Sequence, residues 1–160
     1  MRTLVTIGVY GWTLEAFLDG LREAGVALVL DVRQRRGVRG REYAWANSQR
    51  LQGALAGARI GYRHHPELAP TTELRQLQYR EDDRLGVGKR SRVKLAPEYR
   101  ERYLREILGQ VDPAPLLEEL PPDAASALLC VERDPEACHR SLIAERLAGE
   151  FDLPVLHLCP

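Results

Sequence analysis

The sequence predicts an α/β fold: a single domain with a mainly parallel, Rossmann-like sheet of about five strands flanked by helices. Short β-type runs alternate with helix-type segments along the 160 residues, and this order is typical of βαβ units. The run VALVLDVR at 26–33 is almost entirely apolar, as expected of a central parallel strand with both faces covered. The length favours one domain over 1–160, because no convincing linker divides the chain.

The first part of the chain is predicted to contain three strands and two helices. LVTIGV at 4–9 is a strand bounded by glycines. Thr13 is placed to cap a helix that runs to about Ala24, and the apolar residues of this helix follow helical spacing. The elements that follow are the strand at 26–33, a basic loop at 33–41, a helix at about 46–58 and a strand at 59–65.

The second part begins with a basic excursion outside the sheet at about 66–97, where prolines, glycines and charged residues are frequent. After it the pattern becomes regular again. The turn at Asp134-Pro135 predicts a helix start, because aspartate is a good N-cap and proline suits the first helical position. The predicted elements are a helix at 97–108, a short helix at 115–120, a strand at 126–132, a helix at 135–150 and a strand at 154–158.

Composition disfavours a membrane-spanning or disulfide-stabilised protein. No apolar run approaches the ~20 residues of a membrane span. The N-terminal sequence MRTLVTIGVYGW lacks the apolar segment of a signal peptide. The three cysteines lack the spacing of a disulfide framework. We therefore expect a cytoplasmic protein without a membrane partner.

The formal net charge of zero conceals an uneven distribution. Residues 32–105 hold 18 basic residues against 8 acidic ones, whereas residues 106–160 hold 3 against 11. Arginine accounts for 21 of the 23 basic residues, and its guanidinium group binds phosphate and carboxylate in bidentate fashion. An anion-binding surface and a solvated basic face both explain this pattern. We predict that residues 33–41 and 84–94 form one positive surface beside the functional site.

Polar residues follow the predicted strands at the points where the strands end. Because parallel strands end at one edge of the sheet, where ligands bind, we expect a cleft there. The segment LLCVERDPEACHRSLIAERL at 128–147 is the richest in reactive groups. The candidate residues in chain order are Gly8, Tyr10, Asp31, Arg33, His65, Glu67, Cys130, Glu132, Cys138, His139 and Arg140.

The residue types suggest distinct roles. Arg33 and Arg140 are expected to hold an anion, with Gly8, Tyr10, His65 and Glu67 as further substrate-binding residues. The catalytic candidates are Cys138 as nucleophile or redox thiol, Glu132 or His139 for proton transfer, Asp31 as an orienting group, and Cys130. We expect Cys138 to be more reactive than Cys130, because a thiolate is stabilised in the first turn of a helix.

Each candidate also has a structural explanation. Cys130 lies in an apolar run, where a free cysteine commonly behaves as a small hydrophobic residue. Glu132 with Arg140, and Asp31 with Arg33, are also explained as structural ion pairs. A functional cleft is favoured because several ionisable types from separate strands converge on one edge.

Known ligand motifs do not fit the sequence, so no metal and no cofactor are predicted. The spacing C-x7-C-H matches no common zinc pattern. Gly88-Lys89 fails as the end of a phosphate-binding loop, because Asp83 and Arg90 stand where glycine and Ser/Thr are required. The residues considered as zinc ligands are Cys130, Cys138, His139, His157 and Cys159.

The chain resembles the bacterial and archaeal family called domain of unknown function 488. The resemblance rests on TIG (6–8), DVR (31–33), GYRHHPEL (61–68), CVERDPEACHRSLIAERL (130–147) and VLHL (155–158), and covers essentially the full length. It implies that the family motif falls on the candidate residues above other than Tyr10, and on Leu68, and it implies no activity. Two loops depart from the family pattern: Arg36 stands where proline is usual, and Leu68-Ala69-Pro70 replaces an L-G-[GP] turn.

A weaker similarity to rhodaneses rests on LDVR and on the run Arg140-Ser141-Leu142-Ile143-Ala144. The spacing differs, because a rhodanese-type thiolate usually has an arginine about five residues later. We predict an enzyme that acts on a phosphate-bearing substrate, either nucleic acid or a phosphorylated small molecule such as a nucleotide. Two alternatives stay open: a non-catalytic module that binds nucleic acid or a protein partner, and rhodanese-like thiol chemistry.

Overall fold

The computed structural model describes residues 2–160 and contains a five-stranded sheet in the order β3-β2-β4-β1-β5. Each neighbouring pair of strands is parallel. The predicted α/β class with a mainly parallel sheet is therefore confirmed, and the sheet is parallel throughout. The strands are β1 (Thr3–Ile7), β2 (Val26–Asp31), β3 (Gly61–His64), β4 (Ala125–Leu129) and β5 (Val155–Leu158).

Six α-helices of the described chain flank the sheet. The predicted cap of the first helix is present, because Thr13 Oγ1 accepts a hydrogen bond from the backbone N–H of Ala16. None of the helices within residues 2–160 has the length and apolar character needed to cross a membrane. The helices are α1 (Leu14–Glu23), α2 (Ser48–Gly57), α3 (Thr72–Leu85), α4 (Pro97–Glu106), α5 (Ala114–Glu119) and α6 (Arg140–Phe151).

The central strands bury both of their faces. Leu30 and Leu128 pack into an apolar cluster with α3, α4, α5 and α6. Their neighbours Val29 and Ala127 point to the opposite face and pack against α1 and α2. Because successive side chains of a strand alternate between faces, two apolar layers require strands that are apolar at nearly every position.

The segment before α6 corrects one prediction. Pro135–Ala137 forms only a short 3₁₀ turn, Cys138 has extended backbone angles of φ −141° and ψ 150°, and the helix begins at Arg140. The carbonyl of Ala137, which a continuous helix would use internally, accepts a hydrogen bond from Arg92 Nη1 at 3.2 Å. A helix from 135 to 150 is therefore wrong in its first turn, and Cys138 precedes α6.

Gly8 marks the point where the chain leaves β1 and passes the segment after β4. A Cβ atom at this position would lie 1.9 Å from the carbonyl oxygen of Glu132. Real side chains do not approach a backbone oxygen so closely, so Gly8 lets these two segments pack side by side. The structure therefore gives Gly8 a packing role.

Replacing Gly8 by alanine should destabilise the protein by about 3 kcal/mol or more, because the added methyl group overlaps the backbone of Glu132. Gly53→Ala is the matched control, since Gly53 lies within α2 with open space around its Cα. That change should be neutral or stabilise the helix by up to about 1 kcal/mol. Equal urea midpoints for the two variants would contradict the packing role of Gly8.

Candidate functional site

A cleft of about 750 Å³ opens at the carboxyl end of the sheet. The register of the strands explains its position, because Ile7 of β1 and Asp31 of β2 both lie opposite Leu129 of β4. The segments that follow these three strands therefore leave the sheet side by side. The connection between α3 and α4, residues 86–96, forms part of the opposite wall.

Four candidate residues meet at the floor of this cleft: Cys130, Glu132, Cys138 and His139. His139 Nδ1 lies 3.7 Å from Cys130 Sγ and 3.6 Å from Cys138 Sγ. Cys130 Sγ is also a donor to Glu132 Oε2 at 3.4 Å. All four side chains are buried, with exposures of 7% or less. We refer to these four residues as the floor cluster.

A contact made by the Nε2 atom fixes the orientation of the His139 ring. Nε2 lies 2.8 Å from the carbonyl oxygen of Val32, directly after β2. A carbonyl oxygen only accepts hydrogen bonds, so Nε2 carries the proton and Nδ1 faces the two thiols with a lone pair when the ring is neutral. The end of β2 thus sets the tautomer of a side chain that belongs to the segment before α6.

The two buried thiols have opposite pKa shifts. Burial, together with the negative charge on Cys138, raises the pKa of Cys130 well above its usual value. Burial also works against a charge on Cys138, but the neighbouring Cys130 thiol and the nearby His139 and Arg140 outweigh it and lower the Cys138 pKa. Cys138 therefore carries the negative charge of the pair.

Glu132 joins the floor cluster to the connection between α3 and α4. Its Oε1 accepts a hydrogen bond from Arg92 Nη1 at 3.2 Å, and Arg92 also forms a buried ion pair with Asp82 at 2.6 Å. Burial raises the pKa of Glu132 above its ordinary value, with the Cys138 charge in the same direction and Lys89 and Arg92 opposing. Arg92 and Asp82 are not among the predicted site residues, because nothing but their charge distinguishes them in the sequence.

Arg33 and Arg140, the predicted anion-binding residues, are both buried and held by contacts within the protein. Arg33 is 1% exposed, and it donates through Nε and Nη2 to both carboxylate oxygens of Asp31 at 2.8 Å. Its Nη1 donates to the carbonyl oxygen of Ala46. Arg140 is fully buried and donates to the carbonyl oxygens of Glu132 and Arg133. Asp31 lies beneath the cleft rather than in it.

The remaining candidates divide between the cleft and other places. Tyr10 lines the cleft. His65 and Glu67 do not: His65 Nδ1 contacts the Glu67 carboxylate, and its Nε2 lies 3.0 Å from Glu119 Oε2. The predicted grouping of Asp31, Arg33, Glu67, Cys130, Glu132, Cys138 and Arg140 in one pocket is therefore wrong for Asp31, Glu67 and Arg140.

The two basic segments meet at the rim of the cleft. Arg90 Nη2 donates to the carbonyl oxygen of Arg39 at 3.0 Å, and its guanidinium carbon lies 5.2 Å from the ring centres of both Tyr10 and Tyr43. Within residues 2–160, four further basic side chains line the cleft without a carboxylate within 4.0 Å. We call them the rim cations: Arg35, Arg39, Arg75 and Lys89.

Three of the five residues considered as zinc ligands come together. The sulfur atoms of Cys130 and Cys138 and a ring nitrogen of His139 lie within 4.8 Å of one another. His157 is elsewhere, with its Nδ1 2.6 Å from Thr6 Oγ1, and Cys159 is exposed.

The chain matches a family model and resembles a solved structure. The family model described as "Domain of unknown function DUF488" matches residues 13–147. The comparison with curated proteins gave no match. The crystal structure of a conserved hypothetical protein from Aeropyrum pernix K1 is similar over 99% of this chain, with 22% identity and a TM-score of 0.41. The present chain spans 38% of the length of that protein.

Asp31→Asn should reduce the free energy of unfolding by about 3 to 5 kcal/mol, because it leaves the buried Arg33 without its charged partner. Asp19→Asn removes a comparable pair with Arg22 whose side chains are more than half exposed, and it should cost at most about 1 kcal/mol. Urea unfolding of both variants measures the difference. Similar losses would show that the Asp31–Arg33 pair does not support the cleft.

Limiting iodoacetamide at neutral pH should label Cys138 before Cys130 in chelator-treated protein, because the Cys138 pKa is lowered and the Cys130 pKa is raised. Cys159→Ser removes the exposed competing thiol. Peptide mapping by mass spectrometry after short reaction times gives the order. Faster labelling of Cys130 would reverse the assignment of charge within the pair.

Proposed function

We propose that this chain, which belongs to the family described as domain of unknown function DUF488, is an enzyme that acts on a phosphate-bearing substrate. The observation that supports this proposal most directly is the position of the rim cations around a cleft whose floor holds two thiols, an imidazole and a carboxyl group. The positive charge at the mouth of the cleft can bind a phosphate group. The buried groups at the floor can then react with the part of the substrate that is attached to this phosphate. We infer a nucleotide or a nucleic acid as the substrate class.

The rim cations supply the binding part of the proposal. Their guanidinium and ammonium groups have no carboxylate within ion-pair distance in the described chain, so they are available to a ligand. Arg75 donates instead to neutral groups, Gln34 Oε1 and the hydroxyl of Tyr79. Lys89 is half-buried, and the Glu132 carboxylate is the foremost contributor raising its pKa against the effect of burial. Lys89 therefore stays charged beside the floor cluster.

Aromatic rings in the same cleft favour a nucleotide over a simple phosphate ester. Tyr79 is partly exposed in the cleft wall, and Tyr10 and Tyr99 also line it. Nucleobases stack on such rings without sequence preference, at about 1 to 3 kcal/mol per base. A phosphate on the rim cations and a base on Tyr79 would place the substrate over the floor cluster.

The floor cluster supplies the chemical part. Glu132 is the proton-transfer group, because its Oε2 faces Cys130 Sγ while Oε1 is held by Arg92. Cys138 and His139 form the reactive centre with Cys130 alongside. Asp31 and Arg140 lie outside the cleft lining and position this centre, whereas Arg33 lines the cleft and is held in place by Asp31.

Rhodanese-like thiol chemistry is the second candidate function. It is favoured by two free thiols that share one imidazole at the floor of the cleft. In such a reaction the Cys138 thiolate would attack the outer (sulfane) sulfur of a donor such as thiosulfate, forming a persulfide and releasing sulfite. Cyanide would then take up that sulfur as thiocyanate, and Cys130 would be the neighbouring thiol. Free buried thiols also fit the reducing interior of a cell, and we propose a cytoplasmic location on that basis.

Binding of a fluorescein-labelled single-stranded oligonucleotide should weaken steeply with salt. Arg75→Gln and Lys89→Gln should each reduce the slope of log affinity against log salt by about 1, because each removes one phosphate contact. Arg50→Gln is the matched control, since Arg50 is exposed on α2 outside the cleft. No binding at low salt, or equal effects of Arg50 and Lys89, would exclude a phosphate-binding rim.

Glu132→Gln should lower turnover by about 100-fold or more while oligonucleotide affinity stays near that of the parent protein. The melting temperature should fall, because the buried ion pair with Arg92 is lost, so turnover is compared at a temperature where circular dichroism shows both proteins folded. The assay uses nucleoside monophosphates and single-stranded oligonucleotides, with all products identified by mass spectrometry. Affinity without any turnover in the parent protein would leave the non-catalytic binding module as the correct function. Sulfur transfer from thiosulfate to cyanide, abolished by Cys138→Ser, would establish the second candidate instead.

A further inference from the structure

We infer that Cys130, Cys138 and His139 form a binding site for a zinc-class divalent cation at the floor of the cleft. Their two sulfur atoms and the ring nitrogen Nδ1 lie within 4.8 Å of one another, and all three residues are buried. These donors come from the end of β4 and from the segment before α6. The fold therefore brings together a ligand set that its spacing along the chain does not reveal.

The two sulfur-to-nitrogen separations match tetrahedral coordination. With bonds of about 2.3 Å to sulfur and 2.05 Å to nitrogen, a sulfur and a nitrogen on a tetrahedral Zn²⁺ stand about 3.6 Å apart. The two observed sulfur-to-nitrogen distances are 3.7 Å and 3.6 Å. Thiolate and imidazole donors favour zinc over the hard cations Mg²⁺ and Ca²⁺, which prefer oxygen ligands.

The surroundings of His139 are those of a metal ligand. Nε2 is held by the carbonyl oxygen of Val32 at 2.8 Å, and metal-bound histidines commonly donate their second nitrogen to such a group. The contact fixes the ring so that Nδ1, the nitrogen with the lone pair, points at both sulfurs.

Charge balance supports the same conclusion. Both sulfurs bind as thiolates, with any remaining thiol proton released to solvent, and they donate electron pairs to the cation and neutralise its charge. The Glu132 carboxylate beside them and the Asp82 carboxylate are together offset by two cations: Arg92, which contacts both, and the nearby Lys89. The loaded floor cluster therefore adds no unbalanced charge to a buried region.

Three protein ligands leave a fourth position on the side where the cluster lines the cleft. An open fourth position is typical of catalytic zinc sites, and a structural site is usually closed by a fourth side chain. Glu132 Oε2 lies 3.4 Å from Cys130 Sγ, close enough to the site to accept a proton from water bound there. This last role rests on the proposed function, whereas the metal site itself does not.

Cobalt is the probe, because Co²⁺ bound tetrahedrally by thiolates gives charge-transfer absorption in the near ultraviolet and intense visible bands. Full-length protein is reduced, freed of metal with a chelator, and titrated with Co²⁺ and then with Zn²⁺. We expect one equivalent of Co²⁺ to develop both bands and Zn²⁺ to remove them. Zn²⁺ should also protect Cys130 and Cys138 from iodoacetamide.

Variants locate the site. Cys138→Ser and Cys130→Ser should lose the charge-transfer absorption in proportion to the lost sulfurs, whereas Cys159→Ser, at an exposed position, should retain it. Circular dichroism verifies that each variant is folded. Absence of thiolate-to-cobalt absorption in the parent protein would overturn the inference without any variant, and so would its loss in Cys159→Ser.

Oligonucleotide binding by the same samples separates this inference from the proposed function. Cobalt bands without oligonucleotide affinity would support the metal site and contradict the phosphate-bearing substrate. Oligonucleotide affinity with no cobalt bands would support the phosphate-bearing substrate and contradict the metal site.

Discussion

The cleft depends on buried guanidinium groups that must find partners. Removing an arginine side chain from water costs several kcal/mol unless its charge and donors are satisfied, so each buried arginine fixes the segments that satisfy it. Arg33 joins the end of β2 to the loop carbonyl of Ala46. Arg140 joins α6 to the segment after β4 through the carbonyls of Glu132 and Arg133. Arg92 joins α3 to the floor cluster through Asp82 and Glu132.

The connection between α3 and α4 contributes to both the floor and the rim of the cleft. Within 86–96, Arg92 reaches the floor, Lys89 stands beside Glu132, and Arg90 is held between two tyrosine rings at the rim. The position of this connection therefore sets the separation between the proposed phosphate-binding groups and the proposed reactive centre. A change that loosens Arg92 should disturb the floor and the rim together.

The sequence was sufficient for the sheet because the physical signals for it are local. An apolar run at every position of β2 indicates a strand covered on both faces, and Thr13 caps α1 through a neighbouring N–H. Parallel strands then imply that residues after β2 and β4 share an edge. The start of α6 was not predictable, because Arg92 occupies the carbonyl of Ala137 from 45 residues away.

The contacts made by Arg33 and Arg140 could not be predicted for a related reason. Position at a strand end locates an arginine near the cleft, but the direction of its guanidinium group depends on tertiary partners such as Ala46. Asp82 and Arg92 could not be predicted for the same reason, and they also lie in a region where the hydrophobic periodicity of the sequence is weak. The meeting of Cys130, Cys138 and His139 could not be predicted either, because two segments with unremarkable spacing converge only when β4 and α6 are packed.

The central claim is that a phosphate-bearing substrate occupies the cleft above the floor cluster. A crystal structure with a bound nucleoside monophosphate tests it most directly. The phosphate should lie within hydrogen-bonding distance of Lys89 and Arg75, with the base against Tyr79. A nucleotide bound on another face, with the cleft holding only solvent at saturating ligand, would contradict the claim.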